Sequence, residues 1–155
     1  MDIPTERQLY DSASAYYRGA DILMKQSSSS SSSAPSRHLA QPAVTCAALS
    51  LKLYLKCLLT LEGKDKEDKI YRIAELFRNL SDGKKKMILK KFDEFSNTEL
   101  SSDELERHLA SLDNAFERWR YIHEEDARSV NLEDLEEMIL ATKATISASK
   151  PDWGD

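Results

Sequence analysis

The stretch of the chain in which titratable and aromatic side chains are densest is residues 116–124, FERWRYIHE. Near neutral pH, the imidazole of His123 could accept or donate a proton during cleavage of a phosphodiester bond. An arginine beside it could stabilise the negative charge that builds up on the phosphate. The candidate catalytic residues are therefore His123, Arg118, Arg120 and Glu124.

The two arginines lie at different angles from His123 around the predicted helix. At about 100° per residue, Arg120 lies about 60° from His123 around the helix axis, whereas Arg118 lies about 140° from it. Arg120 and Glu124 have the spacing of an i, i+4 ion pair. The structural alternative is that His123 is a half-buried packing residue and that Arg120 and Glu124 tie neighbouring helices together. Both hypotheses stay open at this point.

A second candidate site is a run of lysines on one short predicted helix. Five lysines fall within eight residues: Lys84, Lys85, Lys86, Lys90 and Lys91. Such a cluster could bind the phosphates of a nucleic acid, and its affinity would fall as the salt concentration rises. The alternative is a solvated helix face, because no arginine and no interleaved exposed aromatic residue accompanies the lysines.

The sequence predicts neither a metal nor a cofactor. His38, His108 and His123 are at least fifteen residues apart, and no HExxH or Glu-x-x-His motif is present. There is also no glycine-rich phosphate loop and no serine nucleophile motif. Cys46 and Cys57 lie eleven residues apart on one predicted helix, too far to form a disulfide, which is typical of small core residues in a reducing cytosol.

Residues 42–61, PAVTCAALSLKLYLKCLLTL, form the element that must position these sites. This segment is apolar around most of its circumference and is long enough for about five helical turns. Lys52 and Lys56 lie near its middle, where each charge would cost roughly 2.5 to 3.5 kcal/mol in lipid. We therefore expect a central helix covered on all sides by protein, with no membrane association. The lack of a targeting or lipidation motif predicts a cytoplasmic location.

Local signals divide the remaining chain into further helices. Thr5 and Gln8 have capping-box spacing before a helix of about twenty residues, and a serine-rich loop is predicted at 26–36. Asp65 is the predicted cap of a third helix, and a fourth spans about 84–95. A fifth begins at the capping box of Ser101 and Glu104, and a final helix is capped by Asn131. Apolar stripes along the third, fifth and final helices are predicted to face the core: Ile70, Ile73, Phe77, Leu80; Leu105, Leu109, Leu112, Phe116, Trp119, His123; Leu132, Leu135, Ile139, Thr142, Ile146.

These elements predict an all-α fold, an antiparallel bundle of five to six helices around the central one. The chain is long enough for one hydrophobic core, so we expect a single domain at 1–150 followed by a short tail at 151–155. The sequence leaves open whether Trp153 in this tail packs against the bundle.

Charge is unevenly distributed along the chain. Residues 1–92 carry 16 Lys and Arg against 10 Asp and Glu, or +6, whereas residues 93–155 carry 6 against 17, or −11. Either the two halves meet within the fold or across a dimer, or a basic surface meets nucleic acid.

Three segments together resemble the HEPN superfamily of small bacterial helical bundles. They are AALSLKLYLKCLL at 47–59, IAELFRNL at 73–80 and FERWRYIHE at 116–124, and the similarity covers roughly residues 40–146. The resemblance implies a homodimer. Many members of this family are RNA-directed, metal-independent endoribonucleases in toxin or phage-defence settings, whereas others are inactive binding modules.

The family's catalytic signature is an arginine followed by four to six residues and a histidine, which Arg118 and His123 satisfy. A polar residue usually follows the arginine, and Trp119 stands there. The subgroup with an RYIxE motif at 120–124 often has tyrosine where His123 stands, and in that case His123 is not catalytic.

Three functions follow from the resemblance. The leading hypothesis is a binding or interaction module in a nucleic-acid or defence-related setting, with RNA as the ligand. The first alternative is a metal-independent endoribonuclease that uses His123 with Arg118 or Arg120. The second alternative is a non-catalytic structural dimer, or a scaffold that pairs with an antitoxin of nucleotidyltransferase type.

Overall fold

The computed structural model describes residues 5–29, 40–64, 72–97, 99–119 and 132–153. These ranges contain six α-helices and one turn of 3-10 helix, and no strand occurs within them. The helices are α1 (Glu6–Ser29), α2 (Ala40–Leu61), α3 (Ile73–Arg78), α4 (Asp82–Ser96), α5 (Ser102–Trp119) and α6 (Leu132–Ser149), and the 3-10 helix is Pro151–Trp153. The prediction of an all-α bundle of five to six helices is confirmed.

α2 is the central helix of the bundle, as predicted. It packs against α1, α3, α5 and α6, and the side chains of Leu51, Leu55 and Leu58 have no exposed surface. The helix begins at Ala40, two residues before the predicted start, and contains Pro42 in its first turn. A proline is tolerated there because the first N–H groups of a helix have no acceptor within the helix.

One stripe of α2 is less covered by the described residues than we expected. Leu49 is 37% exposed, Thr45 is exposed, and Cys46 and Leu53 are half-buried. By length and composition Pro42–Leu61 could cross a membrane, but 56% of its apolar window is buried within the protein. The core helix of a water-soluble protein also passes this test of length and composition.

α1 and α2 pack closely along most of their length. Ser50 Oγ donates a hydrogen bond to the carbonyl oxygen of Ala13 over 2.8 Å, and Cys57 Sγ lies 3.3 Å from the carbonyl oxygen of Glu6. The contacts therefore advance in opposite directions along the two helices, which makes the pair antiparallel. Small residues at the interface, such as Ala13 and Ser50, allow this close approach.

The capping boxes predicted for α1 and α5 are confirmed. Gln8 N donates to Thr5 Oγ1 over 3.2 Å, and Thr5 N donates to Gln8 Oε1 over 2.8 Å. Ser101 and Glu104 make the same reciprocal pair at the start of α5.

The predicted start of the serine-rich loop was wrong. α1 continues to Ser29, and residues 30–39 lie outside the described residues. An existing helix adds each residue with one new hydrogen bond, and serine opposes this only weakly.

α3 begins at a cap that the sequence did not predict. Asp65 and Ile70 lie outside the described residues, and the helix that is described begins at Ile73. The buried carboxylate of Asp113, on α5, accepts hydrogen bonds from the N–H groups of Ile73 and Ala74, both at 2.9 Å. A side chain of another helix therefore satisfies two of the free N–H donors at the start of α3.

The C-terminal part of the described chain closes against α1. Asn131 lies outside the described residues, and Leu135, Ile139 and other predicted core residues of α6 are buried. After α6, the 3-10 helix places the ring of Trp153 with its centroid 5.3 Å from that of Tyr10. The guanidinium of Arg7 lies 5.6 Å from the centroid of the same indole ring. Trp153 thus packs on the bundle.

Candidate functional site

The candidate catalytic residues fall at the edge of the described structure. His123, Arg120 and Glu124 lie outside the described residues, and Arg118 lies in the last turn of α5. The structure therefore supplies no geometry that joins an arginine to His123, and the catalytic hypothesis stays a prediction from the sequence.

The lysine-rich segment is the helix α4, which is fixed in place by its apolar side. Ile88 and Phe92 are buried, and α4 packs mainly against α6. Ser81 caps the helix, since its Oγ accepts a hydrogen bond from Lys84 N over 3.3 Å. Asn97 ends it in the left-handed conformation with φ of 57°. These anchors decide where each lysine side chain lies.

Two of the five lysines contact neighbouring helices. Lys84 Nζ donates a hydrogen bond to Ser149 Oγ, on α6, over 2.6 Å. Lys85 Nζ lies 6.0 Å from the ring centroid of Phe77, on α3, which is within reach of a cation–π interaction. Both side chains are half-buried. They therefore border the core and contribute less to an open basic surface than predicted.

The other three lysines face solvent to different degrees. Lys86 and Lys90 are exposed, and each lies about 160° around the helix from the buried Ile88. Within the described ranges, neither ammonium group has an ion-pair partner. Lys91 is half-buried and lies 3.7 Å from the carboxylate of Glu94. The predicted cluster is thus divided around the helix, and Lys86 and Lys90 form its accessible part, which we call the outer lysine pair.

A carboxylate lies at the start of α4. Glu62 Oε1 accepts a hydrogen bond from Ser81 N over 3.0 Å. Partial burial acts to raise the pKa of Glu62, but the hydrogen bonds from Ser81 and the positive charges of Lys64 and Lys84 outweigh it and lower the pKa. Of the five lysines of α4, Lys84 is therefore the one whose charge the carboxylate of Glu62 partly offsets.

Comparisons with known proteins found no match for this chain. No family model, curated protein or solved structure matches the chain. The resemblance to the HEPN superfamily therefore remains a prediction from the sequence.

A histidine and a carboxylate that sequence reasoning did not pair lie between α5 and α6. His108 Nε2 is 3.5 Å from Asp134 Oδ2. The two atoms do not form a hydrogen bond, and the buried Nε2 atom has no hydrogen-bond partner within the described structure. No group of three metal-binding side chains is present among the described residues. Only the fold could reveal the pair, because its members are 26 positions apart.

Proposed function

We propose that the chain is a HEPN-like interaction module that binds RNA through the outer face of α4. The observation that supports this most directly is the outer lysine pair. Lys86 and Lys90 are neighbours one helical turn apart, and both are exposed on a helix whose opposite side is anchored in the core. No carboxylate within the described ranges pairs with either ammonium group.

The chemistry of the outer lysine pair suits the phosphates of a nucleic acid. Each ammonium group that neutralises a phosphate releases a condensed counterion, and this release supplies sequence-independent affinity. Lys84 and Lys91 are half-buried and lie within about 60° of the buried Ile88 around the helix, so the proposed contacts depend on Lys86 and Lys90. Asp93 and Glu94 on the same helix limit the affinity. The net charge of −5 also opposes binding at other surfaces.

The proposal is tested by the salt dependence of RNA binding. Fluorescence anisotropy with a labelled single-stranded RNA gives the affinity at several salt concentrations. The double variant Lys86→Gln/Lys90→Gln removes two phosphate contacts. We expect roughly tenfold weaker binding at low salt and a log–log salt slope that is shallower by about 1.4, or about 0.7 per contact.

A matched control removes the same charge elsewhere. Lys25→Gln/Lys143→Gln lowers the net charge by two on α1 and α6, and it should leave both affinity and slope close to those of the unchanged protein. Equal losses in the two double variants, or no binding even at low salt, would refute the proposed interface.

The same RNA separates a binding module from a nuclease. We expect the RNA to stay intact when it is incubated with the protein in EDTA. Degradation that His123→Ala abolishes without unfolding the protein would replace the binding module with the endoribonuclease alternative.

A further inference from the structure

A cavity lies where α1, α2 and α6 meet, on a part of the molecule that the proposed RNA interface does not use. Its volume is about 80 Å³. One water needs roughly 10 to 15 Å³ by a comparable measure, so the cavity has room for a group of about five non-hydrogen atoms. The cavity is therefore large enough for a short chain rather than for a whole drug-sized ligand.

The floor of the cavity is apolar and is made of small side chains. Ala20 comes from α1, Ala43 and Ala47 come from α2, and Ile139 comes from α6. All four are buried. Because three of them are alanines, the helices approach one another and still leave space above the floor. A floor of this kind favours an aliphatic group over a fully hydrated ion.

The mouth of the cavity is acidic. Tyr17 and Asp21 from α1 and Glu136 from α6 supply its polar groups, and Met24 from α1 completes its lining. Tyr17 OH donates a hydrogen bond to Glu136 Oε1 over 3.0 Å. Burial, followed by the hydrogen bond and charge of Glu136, raises the pKa of the Tyr17 phenol well above its usual value. The phenol is therefore a neutral donor that orients Glu136, and both negative charges at the mouth come from carboxylates.

Other acidic side chains strengthen the negative potential there. Burial and the neighbouring charges of Glu133, Asp134 and Glu136 raise the pKa of Glu137. This shift shows that the first turns of α6 are crowded with negative charge. An anion would be repelled from the cavity, whereas a cation would be attracted.

A lysine beside the mouth is exposed. Lys25 Nζ lies 2.9 Å from Asp21 Oδ2, and the Lys25 side chain is 77% exposed. Surface ion pairs of this kind contribute little to stability, so another cation can displace the ammonium group of Lys25. Lys25 does not line the cavity.

We propose that this cavity binds a primary alkylammonium group, with its methylene chain on the alanine floor and its ammonium between Glu136 and Asp21. The combination of an apolar floor and two carboxylates at the mouth matches a positive charge at the end of a short hydrocarbon chain. A bare metal ion fits less well, because no cluster of three metal-binding side chains occurs in the described part of the chain. The alkylammonium group can belong to a free amine or to a lysine side chain of a partner protein.

The test is a titration of the ¹⁵N-labelled full chain followed by NMR. n-Butylammonium chloride is the probe, and n-butanol at the same ionic strength provides the same hydrocarbon chain without the charge. We expect saturable shifts at the amides of the cavity, a Kd in about the millimolar range, and at least about fivefold weaker binding of butanol.

Three variants and one matched control locate the binding. Glu136→Gln removes one carboxylate from the mouth and should weaken the binding of n-butylammonium at least about fivefold. The exposed Glu99, between α4 and α5, does not line the cavity, so Glu99→Gln makes the same charge change elsewhere and should change the Kd less than about twofold. Ala47→Leu fills the cavity and should abolish binding, with thermal unfolding as the check on its fold. Lys25→Met removes the competing ammonium and should tighten binding.

The results of this titration do not depend on whether the chain binds RNA. Butanol that binds as tightly as n-butylammonium would overturn the proposal, as would Glu136→Gln and Glu99→Gln variants that behave alike, or the absence of saturable shifts. Nα-acetyl-lysine amide and spermidine then distinguish the two sources of the group: tighter binding of the first supports a partner's lysine, and tighter binding of the second supports a free polyamine.

Discussion

The carboxylate of Asp113 and the ammonium groups of the outer lysine pair are all charges on helices, but their surroundings differ. Asp113 is 4% exposed and accepts two backbone hydrogen bonds from another helix. Lys86 and Lys90 point into solvent, with no ion-pair partner among the described residues. The comparison shows that buried charges here fix the position of helices, whereas outward charges leave the fold unchanged and are available to a ligand.

Removal of the buried carboxylate of Asp113 should have the largest effect on the stability of the fold. Asp113→Ala removes both acceptors and leaves the N–H groups of Ile73 and Ala74 without their partner, so we expect a loss of about 3 kcal/mol in the free energy of unfolding. Urea denaturation followed by circular dichroism measures it.

The control for Asp113 is an exposed aspartate of the same helix. Asp103→Ala, in the first turn of α5, should cost less than about 1 kcal/mol through the helix dipole. Equal losses in the two variants would remove the distinction between buried and outward charges.

A buried thiol should make stability fall in alkaline solution. Burial, with a smaller effect of Glu6, raises the pKa of Cys57 from 9.0 to about 12. The unfolded chain therefore loses this proton first, so the contribution of Cys57 is complete below pH 9 and decreases between pH 9 and 12. The slope cannot exceed about 1.4 kcal/mol per pH unit for one group.

Cys57→Ser separates this thiol from other groups. Burial also raises the pKa of Tyr54, to about 12, so some alkaline loss should persist in the variant. The stability of Cys57→Ser measured by urea denaturation should fall less steeply above pH 9 than that of the unchanged protein. Parallel curves would show that the thiol is not the titrating group.

Removal of the exposed capping box of α1 should lower the stability of the fold less than removal of the buried cap of α3. Thr5→Ala removes the acceptor of Gln8 N, and we expect about 1 kcal/mol of destabilisation. Thr5→Ser keeps the hydroxyl and should restore most of it. A loss in Thr5→Ala as large as that of Asp113→Ala would mean that burial does not decide the strength of a cap in this bundle.

The smallest effect on stability should come from the outer lysine pair. Lys86→Gln/Lys90→Gln removes no contact that the described structure contains, so the free energy of unfolding should change by less than about 0.5 kcal/mol. Urea denaturation of the variant used for RNA binding measures it directly. A large loss of stability would show that the two lysines help hold the fold.

Features set by neighbouring residues could be predicted from the sequence. The capping boxes at Thr5 and Ser101 depend on residues three positions apart, and the stripe of α5 places Leu105 and Leu109 in the core at helical spacing. The separation of the lysines also follows from helical arithmetic, because Lys86 and Lys90 are each two positions from Ile88. The prediction of a single lysine cluster was based on spacing along the chain and not on the angles of the side chains around the helix.

Features made by distant residues could not be predicted. Asp113 lies 40 positions from the N–H group of Ile73 that it caps, and nothing in the local sequence distinguishes it from a solvated aspartate. The cavity depends on how closely three helices approach, which alanine content alone does not determine. The packing of Trp153 on Tyr10 joins residues more than 140 positions apart.

The packing of Trp153 on Tyr10 has a consequence for local unfolding. Since the indole ring lies against the first turns of α1, the start of that helix cannot detach without releasing the segment that follows α6. Native-state hydrogen exchange should therefore give similar opening free energies for the amide of Trp153, which bonds to the carbonyl oxygen of Lys150, and for amides early in α1. The two ends of the described chain should open together as one cooperative unit.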